Sequence, residues 1–375
     1  MKKKNVLILY AKMGKGHVSA SRATKQAFDY LYKDKYNVEV VDFFSLVSGA
    51  FSDSTSKAYD GTVKHMPSFY KAFFDWSDEA WKVKFLNKIN YLTLSLAFNK
   101  LLTKYDPDII VSTFPIWDYG LCSLWKKKHP GSKFINIITD SISIHKAWLI
   151  ADADYRVVPN EDTAKVLMKR GVDKDKIKIL GFPVSLEFTE KVDRNNVLKF
   201  LNLNPKLFTI LLFATIGNNT RNLRLIEKVI YENRDYNVIV VTGRNDTLMP
   251  RIEHLKFEKN VAILGWTTNV PQLMLSSDLI ITKAGGATVM ECIAAKKPMI
   301  ITQVIPGQEE GNAELIKEHN LGVILEKGKK GITNLNEHIK NIRKDYNKYE
   351  TALKMQSKPE AALQIAKLIV SELES

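Results

Sequence analysis

The stretch IITKAGGATVMECIAAKKPMIITQVIPGQEEGN, residues 280–312, decides the fold of this chain because it holds two successive strand-to-helix units. An apolar strand runs into Lys283, and Gly285 and Gly286 then allow a tight turn before a helix that is predicted to begin near Ala287. The amides of such a turn and the positive end of the helix dipole can approach an anion closely, and a diphosphate is the usual ligand. The first unit therefore predicts an anion site at the carboxyl end of a strand.

The second unit places polar side chains at the same edge. Strand Pro298–Thr302 ends in IPGQEEGN, which offers Gln308, Glu309 and Asn312 for contact with hydroxyl groups. A diphosphate beside a set of hydroxyls describes a nucleotide-sugar. The two units together favour a protein that binds such a molecule.

The length of 375 residues predicts two domains, because a single core rarely grows that large. A hydrophobic content of 45% and a charged content of 26% describe a soluble globular chain. The first apolar run, residues 6–11, is too short for an export signal, and no uncharged run approaches the roughly 18 residues that cross a bilayer. Cys122 and Cys292 lie in helical patterns of separate halves, which argues against a disulfide framework. We therefore expect a cytoplasmic location.

The net charge of +14 has two interpretations. It describes either a lysine-rich surface that is merely well solvated, or a surface attracted to an anionic partner such as nucleic acid or the cytoplasmic leaflet. Each Lys or Arg near an anionic membrane contributes about 1 kcal/mol. Charge alone leaves both interpretations open.

The N-terminal region predicts a strand, a glycine turn and a helix. The strand covers residues 6–10, the turn contains Gly14 and Gly16, and His17 opens the helix before the next strand at residues 38–41. The motif AKMGKGH lacks both the complete dinucleotide fingerprint and the ending of a phosphate-binding P-loop, so a Rossmann cofactor is disfavoured. His17 is either a capping or solvent-facing residue or a reactive group at the carboxyl end of a strand.

The segment 64–102 is unusually rich in aromatic residues and lysines. Phe69, Phe73 and Trp76 fall on one helical stripe, and Trp81 follows. Such a stripe indicates core packing, an interfacial membrane helix with its rings at the acyl boundary, or a base-stacking surface for nucleic acid. Membrane binding ranks above nucleic acid because the C-terminal half already indicates a nucleotide-sugar.

Three more apolar strands, at residues 108–112, 134–138 and 155–158, continue the first α/β domain. Asp140, His145 and Trp148 follow the second of them and are predicted to lie at the edge of this domain. The pairs 106/108 and 152/154 have the D-x-D spacing of a divalent metal site. Both precede strands, whereas ligands bind at the carboxyl ends, so we predict no metal site.

A second α/β domain is predicted after a polar linker at residues 187–205. Its strands at residues 208–213, 238–241 and 261–264 precede the two units of residues 280–312, and each ends in a loop with glycine or a polar cluster. The amphipathic helix at residues 363–370 is expected to return to the first domain. The predicted boundaries are 1–190, 191–355 and a C-terminal helical segment at 356–375.

The motifs AKMGKGH, TFP, TD…IHKAW, GFPV, ITKAGGATVME and IPGQEEGN, in this order, resemble those of bacterial diacylglycerol glucosyltransferases and plant-type monogalactosyldiacylglycerol synthases. The resemblance covers nearly the whole chain. It implies the GT-B architecture, an α/β fold of two Rossmann-like domains that face each other across a cleft, with the donor in the C-terminal domain and the acceptor in the N-terminal one.

The resemblance also implies roles for individual residues. Glu291 would hold the ribose hydroxyls, although the sequence from Thr288 to Glu291 also fits a capping box. The other residues implied to bind the UDP-sugar are Gly16, Gly217, Asn218, Gly243, Arg244, Gly265, Trp266, Thr267, Lys283, Gly285, Gly286, Ala287, Thr288, Gln308, Glu309 and Asn312. The residues expected to meet the acceptor or the membrane are Phe69, Phe73, Trp76, Trp81, His145 and Trp148.

The expected reaction is an inverting transfer of a hexose, with glucose favoured over galactose, from a UDP-sugar to the hydroxyl of diacylglycerol. His17, Asp78 and Asp140 are the candidates for the base. No metal or other cofactor is expected, because amides and cations such as Arg244 or Lys283 would stabilise the departing UDP. The expected partners are the donor, diacylglycerol and an anionic membrane rather than nucleic acid, at the cytoplasmic face of the cell membrane. The alternatives are a polyprenyl-linked or other lipid acceptor, a UDP-sugar epimerase, and a non-catalytic sensor.

Overall fold

The protein forms two compact units. Unit 1 comprises Met1–Leu186, Ile305–Asn312 and Lys358–Ser375, and unit 2 comprises Glu187–Val304 and Ala313–Ser357. The structure, a computed structural model, describes residues 2–47, 61–62, 71–72, 75–79, 81–82, 84, 91–214, 219–307, 309–326 and 328–375. The segment Ile305–Asn312 belongs to unit 1, whereas the sequence places it within the C-terminal domain. A pattern of strands and helices cannot show that the chain leaves one unit for eight residues and then returns.

Unit 1 contains a sheet of six parallel strands in the order β2-β1-β3-β4-β5-β6. The strands are β1 Asn5–Tyr10, β2 Asn37–Asp42, β3 Ile109–Ser112, β4 Lys133–Ile137, β5 Tyr155–Val157 and β6 Ile177–Lys178. The central strands are apolar and buried, as expected where helices cover both faces of a parallel sheet. β6 was not predicted, because two residues carry no periodic signal.

Helices cover the first sheet on both faces. They are α1 Lys15–Tyr32, α2 Phe43–Val47, α3 Tyr91–Tyr105, α4 Asp118–Lys128, α5 Ala147–Ile150, α6 Glu161–Lys169 and, at the end of the chain, α16 Ala361–Glu374. On one face α16 packs with α1, so that Ile365 and Ile369 share a core with Ala27 and Phe28. On the other face α3 and α4 pack through Phe98 and similar buried side chains.

Unit 2 contains a second six-stranded parallel sheet in the order β12-β11-β10-β7-β8-β9. The strands are β7 Thr209–Phe213, β8 Asn237–Val241, β9 Val261–Leu264, β10 Leu279–Lys283, β11 Met299–Gln303 and β12 Gly322–Ile324. The helices are α7 Arg194–Phe200, α8 Asn219–Glu232, α9 Met249–Ile252, α10 Val270–Ser276, α11 Gly286–Ala294, α12 Glu310–Glu318, α13 Lys329–Thr333, α14 Leu335–Lys344 and α15 Tyr346–Gln356, of which α12 has its first three residues in unit 1. The α/β prediction and all ten predicted strands are confirmed, with ends within two residues.

The strand order reverses once in each sheet. In unit 1 the chain passes from β1 outward to β2 and then returns to β3 on the other side of β1. In unit 2 the reversal lies between β7 and β10. Loops diverge at such a reversal and leave a crevice at the carboxyl ends of the strands, which is where open parallel sheets bind ligands.

Helices long and apolar enough to cross a bilayer are absent from the part of the chain that the structure describes.

Candidate active site

His17 lies at the strand reversal of unit 1. It follows β1 in the first turn of α1, and its Nδ1 atom is 2.6 Å from the carbonyl oxygen of Thr113, which follows β3. The interpretation of His17 as a capping or solvent-facing residue is wrong, because the N-cap of α1 is Gly14 and the His17 side chain is buried. Gly16 precedes it in the same turn. The position of His17 at the carboxyl edge of the sheet agrees with the other interpretation, in which His17 is a reactive group at the end of a strand.

The surroundings of His17 fix both its orientation and its charge. The Thr139 hydroxyl lies 2.9 Å from Nδ1, and the Phe114 ring meets the imidazole edge-on at 4.9 Å between centroids. Burial lowers the pKa of His17 to about 4, although the Thr113 carbonyl acts in the opposite direction. The imidazole is therefore neutral near pH 7.

Asp140 lies beyond the end of β4 and next to Thr139. Its Oδ2 atom accepts a hydrogen bond of 2.7 Å from the indole Nε1 of Trp148 in α5. Burial raises the pKa of Asp140 to about 6, while this hydrogen bond lowers it. The carboxylate is thus ionised near pH 7 and more basic than an ordinary aspartate.

The Trp148 side chain is fully buried. The prediction that it meets the acceptor or the membrane is corrected by this burial, since the ring has no exposed surface. Arg156 of β5 donates to the Trp148 carbonyl at 3.3 Å and to the Ala151 carbonyl at 2.5 Å. These bonds hold the end of α5, and with it the indole, in place.

Asp78 and His145 join a short helical segment, residues 75–77, to the loop before α5. The Asp78 carboxylate accepts from the backbone N–H of Lys146, and His145 Nε2 lies 3.1 Å from the Ser77 hydroxyl. His145 Nδ1 accepts from the N–H of Ala147, so Nε2 carries the ring proton when the imidazole is neutral. Asp78 is therefore engaged in holding this loop.

The described part of the aromatic segment exposes two indole rings. Trp76 is 48% exposed and Trp81 is 61% exposed. The Lys82 ammonium lies 4.9 Å from the centre of the Trp76 ring and 5.4 Å from that of Trp81. Glu79 accepts from Trp81 Nε1 at 2.5 Å and from Lys82 at 2.9 Å. Core packing is excluded for these two rings. Phe69 and Phe73 lie outside the described residues.

The segment Ile305–Asn312 packs on the Asp140 loop. Gly311 is so close to this loop that an added Cβ atom would lie 1.8 Å from the carbonyl oxygen of Ser141. The Glu309 side chain is buried, and its Oε2 accepts from the N–H of Ile305 at 2.9 Å. Asn312 is buried as well, and Gln308 lies outside the described residues.

The glycine turn of the fold-deciding stretch forms as predicted in unit 2. β10 ends at Lys283, Gly285 is the N-cap, and α11 begins at Gly286. The N–H groups of Gly286, Ala287 and Thr288 have no acceptor within the helix, because they belong to its first turn. They lie beside the strand reversal and offer an anion site.

The capping-box interpretation of Glu291 is wrong. Gly285 is the N-cap and, as a glycine, makes no side-chain cap bond, and its position puts Thr288 inside the first turn and Glu291 in the second. A capping box needs the threonine at the cap itself. The ribose-binding role of Glu291 stays a prediction.

The region expected around uridine follows β8 and β9. Gly243 has φ of 61°, which favours glycine, and the guanidinium of Arg244 lies 5.4 Å from the centre of the Trp266 ring. Trp266 is 62% exposed, and the neighbouring Thr267 hydroxyl accepts from the N–H of Asn269. Gly265 has room for a Cβ atom, since Met249 Cε would lie 3.5 Å away. Gly217 and Asn218 lie outside the described residues.

Three polar side chains that were not predicted form a closed ring beside this region. Asn219 donates to Thr247 at 2.7 Å, Thr247 donates to Asn245 at 3.1 Å, and Asn245 donates to Asn219 at 3.0 Å. The ring ties the loop after β8 to the start of α8. The sequence placed Asn245 in the polar loop after β8, but no sequence signal paired it with Asn219, 26 positions earlier.

The two D-x-D pairs are engaged in ion pairs and backbone bonds. Asp152 pairs with Lys126 at 3.3 Å and Lys176 at 3.1 Å, and Asp106 pairs with Lys2 at 2.7 Å. The Asp108 carboxylate accepts from the N–H of Asn5. All of these groups lie at the amino ends of the strands, as the sequence predicts.

Comparisons with known proteins agree with this architecture. The family model for monogalactosyldiacylglycerol synthase matches residues 17–184, and that for the glycosyltransferase family 28 C-terminal domain matches residues 218–369. Monogalactosyldiacylglycerol synthase 3 of Arabidopsis thaliana is 28% identical over 97% of this chain and 80% of its own length. A processive diacylglycerol beta-glucosyltransferase of Bacillus licheniformis is 26% identical over 91% of this chain and 90% of its own length.

Solved structures show the same fold at low identity. A putative UDP-N-acetylglucosamine 2-epimerase of Listeria monocytogenes is 12% identical, with a TM-score of 0.65 over 100% of this chain and 97% of its own. MurG of Acinetobacter baumannii is 10% identical, with a TM-score of 0.60 over 98% and 99%. These two likenesses bear on the fold alone. The two family matches and the relatives show a glycosyltransferase that is similar in sequence to monogalactosyldiacylglycerol synthases and to a diacylglycerol glucosyltransferase.

Proposed function

We propose that this enzyme transfers a hexose from a UDP-sugar to the free hydroxyl of diacylglycerol, with inversion at the anomeric carbon. The observation that carries the proposal is Asp140, a carboxylate at the carboxyl edge of the unit 1 sheet whose pKa burial raises to about 6. A base of this strength is ionised at neutral pH and still accepts a proton effectively. The names of the plant and Bacillus relatives support diacylglycerol as the acceptor.

In the proposed reaction Asp140 removes the proton of the acceptor hydroxyl. The alcohol oxygen forms a bond to the anomeric carbon while the bond from that carbon to the UDP oxygen breaks. The proton stays on Asp140, at Oδ1, because Oδ2 is held by the indole of Trp148. Among the three candidates for the base, Asp78 serves to hold the loop before α5, and neutral His17 is the weaker base because its pKa is about 4.

The leaving UDP gains negative charge that the residues of unit 2 would stabilise. The first-turn amides of α11 and the Lys283 ammonium supply positive potential without a metal ion. Exposed Trp266, with Arg244 on its ring, offers a stacking surface for uracil.

Membrane docking forms part of the proposal, because diacylglycerol stays in the bilayer. Trp76 and Trp81 expose rings next to Lys82, which is the combination that interfacial segments use. We expect binding to liposomes that contain anionic lipid, and weaker binding in high salt.

Cosedimentation of the W76A/W81A double variant with such liposomes tests this docking. Phe257→Ala is the matched control, since Phe257 is 82% exposed and lies 5.2 Å beneath the Lys256 ammonium in unit 2. The double variant should lose binding while the control retains it. Equal binding by both variants would exclude a membrane role for the two indoles.

A competition experiment tests the transfer itself. Purified enzyme on diacylglycerol-containing liposomes receives UDP-glucose and UDP-galactose together, and mass spectrometry identifies the lipid products and the number of sugars added. Glucosyl product is expected, by analogy with the bacterial relative. UDP release that does not require diacylglycerol, together with an altered free sugar, would instead identify an epimerase. A product that forms only with a polyprenyl-linked lipid would change the acceptor.

A further inference from the structure

Strand β5 contains a buried arginine that takes no part in the proposed transfer step. The Arg156 side chain is only 4% exposed, although arginine is seldom buried unless its charge and its donors are satisfied. The nearby carboxylates of Asp152 and Asp154 form ion pairs with Lys126, at 3.3 and 3.4 Å. Arg156 donates its hydrogen bonds to backbone carbonyl oxygens.

Four carbonyl groups receive these hydrogen bonds. Nε donates to Trp148 at 3.3 Å, Nη1 to Ala153 at 3.4 Å, and Nη2 to Leu149 at 3.4 Å and to Ala151 at 2.5 Å. These carbonyls lie at the end of α5 and in the turn that follows it, where a helix leaves its last carbonyls without partners. A guanidinium presents five donors in one plane, so it can bind several carbonyls at once. Arg156 therefore fixes the position of α5 against strand β5.

Trp148 is held at its backbone and at its ring. Its carbonyl accepts from Arg156 Nε, and its indole Nε1 donates to Asp140 Oδ2 at 2.7 Å. A displacement of α5 would therefore change the distance from the indole to the carboxylate. Burial raises the pKa of Asp140, and the bond from the indole opposes this rise. The orientation and the basicity of the carboxylate both depend on where α5 lies.

Resting on the proposed function, in which Asp140 is the base, we propose that Arg156 is a positioning residue of the transfer reaction. It holds α5 so that the indole of Trp148 orients the Asp140 carboxylate and leaves Oδ1 to take the proton of the acceptor. The effect of the guanidinium on Asp140 passes through its bonds to the α5 carbonyls, and its charge has no direct part in it.

Nuclear magnetic resonance of the indole N–H groups tests this arrangement without turnover. The chain has six tryptophans, and comparison with Trp148→Phe assigns the resonance of Trp148. In the wild type this resonance should shift with pH, with a midpoint near 6, as Asp140 ionises. In Arg156→Met the midpoint should rise by about 0.5 to 1 pH unit, because a displaced indole stabilises the carboxylate less. An unchanged midpoint in folded Arg156→Met would overturn the proposal.

The pH profile of kcat/KM tests whether the effect passes through the indole. Arg156→Met should move the rise of the profile upward by the same amount and lower kcat/KM at pH 7 about 10-fold. In a Trp148→Phe background the same change should leave the profile where Trp148→Phe alone puts it, because both changes act on one hydrogen bond. A further upward shift in the double variant would show that Arg156 acts on Asp140 directly, contrary to the proposal.

Two more variants separate the carbonyl bonds from charge and from stability. Arg156→Lys keeps the charge but lacks the planar group of five donors, so it should shift the profile in the same direction as Arg156→Met. Wild-type behaviour of Arg156→Lys would show that charge suffices, and the proposal would fall. Arg194→Met is the matched control, because Arg194 also donates to two backbone carbonyls, those of Ser276 and Leu207, but in unit 2. It should lose stability and leave the Trp148 midpoint unchanged, whereas an equal shift would make lost stability the cause.

The failure of this inference is distinguishable from failure of the proposed function. A chain without hexosyltransferase activity on any UDP-sugar would refute the reaction, and the titration of the Trp148 indole would still be measurable. The wild-type titration and Arg156→Lys keep the inference testable should Arg156→Met not fold. A wild-type indole resonance that does not change between pH 4 and pH 8 would refute the link between Trp148 and Asp140.

Discussion

Replacing Gly311 with alanine should displace the Asp140 loop at the carboxyl edge of unit 1. The new Cβ atom would lie 1.8 Å from the Ser141 carbonyl oxygen and 2.5 Å from the Ser143 nitrogen. Both atoms are backbone, so no side-chain rotation relieves the clash. An ordinary contact begins near 3.4 Å, and the loop must therefore move by about 1.6 Å relative to Gly311.

The loop that must move is already strained. Ser141, Ile142 and Ser143 form a three-residue turn closed by a 2.6 Å bond from the Ser143 N–H to the Ser141 carbonyl, with Ile142 at φ of 58°. A β-branched residue rarely adopts this conformation, so the turn has little freedom to adjust. We expect a loss of about 1–3 kcal/mol in the free energy of unfolding. Because Asp140 adjoins the turn, we also expect kcat/KM to fall by about 100-fold.

Gly322→Ala is the matched control for Gly311→Ala. Its Cβ atom would lie 2.1 Å from the Met299 carbonyl oxygen in unit 2, a clash of similar severity that is not at the Asp140 loop. Thermal unfolding and hexosyl transfer to dioctanoylglycerol are measured for both variants. Gly322→Ala should lose stability while its folded fraction keeps its activity. If Gly311→Ala keeps full activity, or loses no more of it than Gly322→Ala, the turn does not position Asp140.

Three other predictions follow from the same structure. The kcat/KM of the wild type should rise with pH through about 6 as Asp140 loses its proton. Trp148→Phe should move this rise upward by about one pH unit, because the indole N–H stabilises the carboxylate. A pH profile that Trp148→Phe leaves unmoved would exclude Asp140 as the base. Burial raises the pKa of Asp118 to about 8, so the unfolded chain binds fewer protons than the folded one between about pH 4 and 8, and the free energy of unfolding falls as pH rises through this range. Asp118→Asn removes this dependence, so the difference in unfolding free energy between the variant and the wild type should shift in favour of the variant by on the order of 4 kcal/mol from pH 4 to pH 7. Denaturant unfolding measures this difference, and a difference that stays constant with pH would contradict the raised pKa. Activity should persist in EDTA because amides and cations are proposed to stabilise UDP, and loss that only added Mg²⁺ or Mn²⁺ restores would argue for a metal.

The sequence predicted the elements of the fold because their signals are local. Apolar runs that end in glycine or polar clusters located ten strands, and Gly285 and Gly286 located the turn before α11. Residues at strand ends reach the carboxyl edge of a parallel sheet by topology alone, so His17 and Asp140 could be singled out without coordinates. The two short strands β6 and β12 were missed because two or three residues show no period.

What the tertiary structure decided depends on contacts between residues far apart in the chain. His17 and Thr113 are 96 residues apart, and only their contact fixes which ring nitrogen carries the proton. The sequence predicted that Trp148 meets the acceptor or the membrane, whereas its indole is buried and donates a hydrogen bond to Asp140. The pKa values of His17 and Asp140 likewise follow from burial, which a linear pattern does not show. The sequence by itself therefore determined the two-unit α/β fold and the similarity to known glycosyltransferases, whereas protonation, orientation and the close packing of Gly311 arose only when distant segments met.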